Sequence, residues 1–312
     1  MINREIIRTK IVQLTYAYYQ NGNKNIDTAE KELTFSLSKA YDLYNYLLAL
    51  MVAIAREAKR RLEITEVKAM REGTEKPSTR FAYNRFILQL GENRQLADFI
   101  NSQKWTWADE PEFVGRLFEQ IEQSQTYKDY MTAPTDDYAT DRELWRKLYR
   151  MFIQENTDLE ALLEEQSLYW NDDKEVVDTF VLKTIKRFEE QNGVRQELLP
   201  EFDNEEDRDY ARKLFRASIL NANDYQHFMS DASHNWDFSR LAFMDIIIMQ
   251  IAIAEMMTFP TIPVSVTINE FVDIAKLYST PKSGGYINGM LDAIARHLIQ
   301  TGKLMKRMEE RE

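Results

Sequence analysis

Two carboxylates, Asp245 and Glu255, interrupt the longest apolar stretch of the chain, Leu241 to Phe259. Acidic pairs in apolar surroundings are what general acid–base chemistry uses. Ten residues apart on one helix, however, these two are separated by about 15 Å, too far to act as a pair within that helix. The histidines, His227, His234 and His297, form no His-x-x-x-His pair and no Glu-x-x-His motif, which leaves zinc or di-iron chemistry without a ligand set. Cysteine is absent, so disulfides, thiolate metal sites and a cysteine nucleophile are excluded. Ser283-Gly284-Gly285 has the composition of a phosphate turn but neither its Gly-Lys-Ser/Thr ending nor a preceding strand, and no Gly-x-Ser-x-Gly elbow occurs. What remains is a short cationic face: Arg4 and Arg8 one helical turn apart, with Lys10 beyond them.

The elements that carry these residues read as helices. Glycine (9) and proline (7) are scarce among 312 residues, and Leu, Ile, Met, Glu and Lys abound. Asn3 is a plausible N-cap for a helix over 3–20, whose Ile7, Ile11, Leu14 and Tyr18 form an apolar stripe. Further helices are expected over 27–63, 80–103, 111–130, 141–166, 173–192, 207–230, 237–258, 265–278 and 286–308. Glu72 to Pro77, Asn192-Gly193 and Pro281 to Gly285 read as loops, and Pro260 and Pro263 bracket a turn. No stretch alternates in the way a sheet requires, so the fold class is all-α. The 241–259 stretch, broken by Asp245, Gln250 and Glu255, reads as a core helix and not a membrane span. Met1 leads straight into Arg4, Glu5 and Arg8 with no apolar signal core, which points to a cytoplasmic protein.

Net charge is −11, unevenly placed. Residues 1–60 hold nine basic and six acidic side chains, 61–210 hold 20 and 34, and 211–312 hold eleven of each. The acidity lies in the middle, and the two ends are free to meet an anionic partner. There is also internal self-similarity at a 66-residue offset. Arg146-Lys147-Leu148-Tyr149-Arg150 matches Arg212-Lys213-Leu214-Phe215-Arg216, and Asp141, Ser167 and Trp170 match Asp207, Ser233 and Trp236. A degenerate copy of one helical unit or coincidence would each produce this.

The last third reads Trp236, Arg240 and Asp245, then Ile-Ala-Ile-Ala-Glu255-Met, Ile262-Pro263, Ile268-Asn269-Glu270, Ala275-Lys276 and Tyr286-Ile287-Asn288-Gly289-Met290-Leu291-Asp292. In order and spacing this resembles the NusB family. Val12-Gln13-Leu14-Thr15-Tyr16 resembles the family's first helix, and Tyr210-Ala211-Arg212-Lys213-Leu214 the start of its third. The resemblance implies two helical subdomains and no metal, cofactor or catalytic residue. It also implies binding to boxA RNA of ribosomal RNA transcripts, together with a small-subunit ribosomal protein acting as NusE, in an elongating RNA polymerase complex. An RNA-modifying enzyme is disfavoured, because no glycine-rich cofactor loop is present.

On this resemblance Arg4, Arg8 and Lys10 are phosphate contacts, the role a cationic face serves. Tyr278, Tyr286, Asn288 and Asp292 would stack on and read unpaired bases, and Gly289 would allow close helix packing. Tyr16 either joins that surface or packs in the core. Glu255 falls near the partner-protein surface, although the residues alone equally allow a carboxylate held by Arg240 or a helix end. The expected domains are 1–38 and 207–308, NusB-like, around an acidic helical insert over 39–206. The insert carries Trp105, Trp107, Trp145 and Trp170 and is expected to fold, as a protein-facing surface, a nucleic-acid mimic or a packed elaboration.

Overall fold

Asparagine and serine side chains set where half of the described helices begin. In the computed structural model, which describes residues 1–22, 25–232, 241–280 and 282–306, the helices are α1 (Arg4–Gln20), α2 (Ile26–Glu72), α3 (Arg85–Gly91), α4 (Arg94–Ser102), α5 (Pro111–Gln123), α6 (Gln125–Thr132), α7 (Tyr138–Phe152), α8 (Thr157–Gln166), α9 (Lys174–Arg187), α10 (Glu205–Leu220), α11 (Ala222–Ala232), α12 (Phe243–Thr258), α13 (Val264–Tyr278) and α14 (Ser283–Gln300). Among the described residues there is no strand, only an isolated parallel bridge between Ile2 and Phe202. Ser233, His234, Trp236, Arg240 and Pro281, all used in the sequence reading, lie outside the described residues.

Several expected helices are split. The run 80–103 becomes α3 and α4, because Asn84 and Asn93 each accept from a backbone N–H three residues on, at 3.1 Å in both cases. Ser124 starts α6 in the same way at 3.2 Å, and Asn156 starts α8 at 2.9 Å. Such caps satisfy donors that a continuous helix would use, and they override a continuous apolar period. The second helix errs the other way. It runs past the basic run at Lys59 because Arg60 and Arg61 pair back to Glu57, and it stops only where Gly73 takes a positive φ of 66°. The last helix likewise ends before Gly302, at φ 69°.

The chain divides into two compact units, one of Met1 with Lys39–Glu201 and one of Ile2–Ser38 with Phe202–Glu312. α2 supplies residues to both. In the second unit α12 is the centre, packed on α1, α10, α11, α13 and α14. Its residues Ile247 to Met256 are buried without a break, as expected of a helix apolar on every face. Among the described residues no helix is long and apolar enough to cross a membrane.

The first unit has its own core, with Trp145, Tyr149, Phe86 and Phe188 wholly enclosed. At the 66-residue offset read from the sequence, the bounds of α7, α8 and α9 fall near those of α10, α11 and α12. Leu148 and Leu214, Tyr149 and Phe215, and Ile185 and Ile251 are all buried pairs at that offset.

Under this core, Lys174 Nζ pairs with Asp178 at 2.9 Å and the Tyr149 hydroxyl donates to the same carboxylate at 2.5 Å. Burial pushes the Asp178 carboxyl up to about 6, against the pull of Lys174 and Tyr149. A folded-state pKa above the unfolded value favours folding below about pH 4, and that contribution fades as pH rises through 6. Its full size is roughly 3 kcal/mol. Asp178→Asn is therefore expected to flatten the dependence of the thermal midpoint on pH between 4 and 6, as read by circular dichroism.

Candidate nucleic-acid interface

The cationic helix α1 begins at Asn3, whose side chain accepts from Ile6 N at 3.0 Å. That start sets Arg4 and Arg8 one above the other, but the helix is covered on more than its apolar stripe. Ile6, Ile7, Arg8, Lys10, Ile11, Val12 and Thr15 are all buried, because α10, α12 and α13 each pack on it. Arg8 donates from Nε to Glu255 at 2.7 Å and from Nη1 to Glu270 at 2.9 Å. Glu255 has no exposed surface. It also accepts from the Tyr210 hydroxyl and from Thr267 Oγ1, the latter at 2.5 Å. Burial acts to lower the Arg8 pKa, and the facing oxygens of Tyr210, Glu255 and Glu270 outweigh it, so the guanidinium is held charged. Burial, with Glu255, drives the Tyr210 phenol well up, keeping it a neutral donor.

These positions differ from the sequence reading. Arg8 and Lys10 are interior side chains and present no cationic face to phosphate. Glu255 is not on a partner-facing surface; its carboxylate is the acceptor that ties α1, α10 and α13 to α12. Arg4 keeps a third of its side chain exposed, but Glu206 and Asp207 both hold it at 3.1 Å and it lies 5.0 Å over the Tyr210 ring. The apolar stripe visible in the sequence could not show that the charged side of α1 is covered as well.

The remaining candidates lie on α1, α13 and α14, each of which packs on α12. Tyr16 and Tyr19 pack on Phe243 with ring centroids 5.7 and 6.1 Å away. The Tyr278 hydroxyl, at the end of α13, accepts from Gln13 of α1 at 3.2 Å. Ser279 and Ser283 donate to the two oxygens of Asp245 at 2.5 and 3.0 Å, which fixes the bend between α13 and α14 on α12. Burial and then Asp245 raise the Tyr286 phenol's pKa. Asn288 and Asp292 follow one turn apart on α14, and Asp292 pairs with Arg296 at 2.8 Å.

Tyr16, Tyr278 and Tyr286 thus lie on α1, α13 and α14, three helices that pack on α12, and Asn288 and Asp292 follow Tyr286 on α14. The structure adds Gln13, Phe243 and Arg296, which motif matching passed over. Phe243 is two-fifths exposed at the head of a helix whose centre is buried. The close helix approach expected at Gly289 occurs at Gly284 instead. A Cβ at Gly284 would meet Lys276 Cγ at 3.2 Å, whereas one at Gly289 would meet nothing within 4 Å. Among the described residues no group of three or more acidic, histidine or cysteine side chains is placed to hold a metal.

The family model described as "NusB family" matches residues 179–296. A transcription antitermination protein NusB from Salinibacter ruber is 32% identical over 132 residues, which cover 40% of this chain and 82% of the relative. The chain belongs to the NusB family. The NusB of Acetivibrio thermocellus is 34% identical over 120 residues, covering 37% of the chain and 83% of the relative. That of Chloroherpeton thalassium is 38% identical over 99 residues, covering 32% of the chain and 47% of the relative. No solved structure matches. The family is one of non-enzymatic antitermination factors, and the NusB match lies in the C-terminal part, from α9 into α14.

Two outcomes test these placements. Removing one partner of a buried ion pair strands the other, so Arg8→Ala is expected to cost about 3–5 kcal/mol in denaturant unfolding. An exposed phosphate contact would cost almost nothing. Gly289 is helical and faces open space, so Gly289→Ala is expected to stabilise α14 by about 0.5–1 kcal/mol in the same measurement.

Proposed function

We propose that this chain is an RNA-binding transcription antitermination factor acting on boxA-type RNA of ribosomal RNA transcripts. In this reading its partners are a small-subunit ribosomal protein serving as NusE and the elongating polymerase complex. Residues 2–38 and 202–306 then form the NusB-like domain, and 39–201 are an acidic helical addition to it. The observation that carries the proposal is the packing on α12 of α1, α13 and α14, which bear Tyr16, Tyr278, Tyr286, Asn288, Asp292 and Arg296, with Tyr16 against Phe243 and the bend after Tyr278 held by Asp245. Aromatic rings next to amide and carboxylate groups suit unpaired bases, which need stacking faces and edge partners. Open space beside Gly289 leaves room for a strand on that helix. The partner-facing role read for Glu255 passes to Glu270, which Arg8 holds and whose side chain is 37% exposed.

One observation favours a second reading, a protein-interaction scaffold without specific RNA binding. Arg4 and Arg8 are each neutralised by two carboxylates and Lys10 is enclosed, so α1 supplies little free cationic charge. Few phosphate contacts mean weak binding by the protein alone and a shallow dependence on salt.

Fluorescence anisotropy of labelled boxA RNA, with and without the ribosomal partner at two salt concentrations, separates the two. The expected result is sequence-dependent binding that needs the partner and weakens about tenfold or more in Tyr286→Ala and Asn288→Ala, a loss of the size that base stacking supplies. No binding in either condition would leave the scaffold reading.

A further inference from the structure

The unit of residues 39–201 contains a cavity of about 250 Å³ that the proposed RNA surface does not use. It exists because Ala49 and Ala53, one turn apart on α2, are too small to fill the space facing Trp107, Ile100 and Val114. Its walls are fixed. Trp107 Nε1 donates to Tyr46 O at 2.7 Å, and its ring stacks on Phe113 at 6.0 Å. The Tyr46 hydroxyl is held in turn by Trp105 O at 3.0 Å and Gln103 Oε1 at 3.2 Å. With both aromatic walls bonded to backbone, the space is preformed and does not depend on one loose side chain.

The mouth is cationic. Arg56 is exposed there and makes no hydrogen bond or ion pair among the described residues. Arg60 commits Nε and Nη2 to Glu57, at 2.7 and 2.8 Å, which leaves Nη1 free of that pair. Glu57, the acid that lines the cavity, is held a second time by Arg61 at 2.7 Å. An arriving anion therefore meets an uncommitted guanidinium beside a carboxylate that is already neutralised. Small-molecule sites are concave, mostly apolar and carry few polar anchors, with volumes from about 300 Å³ upward. At about 250 Å³ this cavity falls just below that range, the size of a fused ring with a short side chain.

We propose that this cavity is a binding site for a small amphipathic carboxylate, its flat apolar body against Trp107 and its anionic head at Arg56 and Arg60. Apolar lining supplies the affinity and the guanidiniums supply the choice of an acid over a neutral analogue. The site is independent of the RNA-binding reading and stands or falls separately from it.

The test titrates the full chain with 2-naphthylacetate and, at the same ionic strength, with the neutral 2-naphthylethanol, by ligand-observed NMR. The acid is expected to bind about tenfold tighter than the alcohol, the worth of one charge-assisted hydrogen bond. Arg56→Gln should erase that preference and leave the alcohol's affinity unchanged. Ala53→Leu fills the void and should weaken both probes about tenfold or more while circular dichroism shows an intact fold. Should that variant not fold, the smaller Ala53→Val serves, with the same expected direction. No binding of 2-naphthylacetate, equal affinity for the two probes, or binding indifferent to Ala53→Leu or Ala53→Val would overturn the proposal.

Discussion

A carboxylate with no exposed surface sits inside α12, the helix on which α1, α10, α11, α13 and α14 all pack. An ion left alone in such a place is costly, so Glu255 must be matched by a cation and by hydrogen-bond donors. Arg8, Tyr210 and Thr267 meet that demand from α1, α10 and α13. A buried pair of this kind is weak evidence of net stability, because its attraction largely offsets its desolvation. Its consequence is geometric: the three surrounding helices can adopt only the registers that bring these groups to one point. Arg8 then carries the constraint to the surface through Glu270, and Arg4 repeats it one turn earlier on Glu206, Asp207 and the Tyr210 face.

That constraint divides the unit into two ends. Near Glu255 the cations of α1 are spent on internal carboxylates. Near Asp245 the polar groups are the hydroxyls of Ser279 and Ser283, and at the same end of α12 Tyr16 and Tyr19 pack on Phe243. Gln250, between the two, donates to Ser218 O at 2.7 Å and to the Tyr19 hydroxyl at 3.0 Å, so it too is satisfied inside the core. The polar residues that interrupt α12 each lock a different neighbour, which is how an otherwise featureless apolar helix acquires one position.

The unit of residues 39–201 follows the same rules with other parts. Asn84 caps α3 and also donates to Asp141 O at 3.1 Å and to the Tyr130 hydroxyl at 3.2 Å. The residue that starts one helix therefore also joins it to two others. Two of its tryptophans, Trp107 and Trp170, reach α2 through hydrogen bonds from their ring nitrogens to Tyr46 O and Lys39 O, both at 2.7 Å. Large rings with one polar atom bury well when that atom finds a backbone acceptor, and the cavity beside Trp107 is the space that this arrangement leaves open.

Much was legible from the residues. Helical period, scarce glycine and proline, and the absence of alternation dictate an all-α chain. The ordered motifs from Asp245 to Asp292 mark the family, and the unbroken apolar run around Ile251 marks a core helix. Those features are local, set by backbone sterics and by the period of apolar side chains, so they can be read along the chain. The splitting of 80–103 at Asn93 was in principle visible too, since an N-cap is a local signal. The fate of the charges was not. Whether Arg8 meets phosphate or Glu255, and whether Glu255 meets solvent or Arg8, turns on two residues 247 positions apart along the chain being brought within 2.7 Å. Only packing sets that distance, because burial and pairing are properties of what surrounds a side chain and not of its neighbours in sequence.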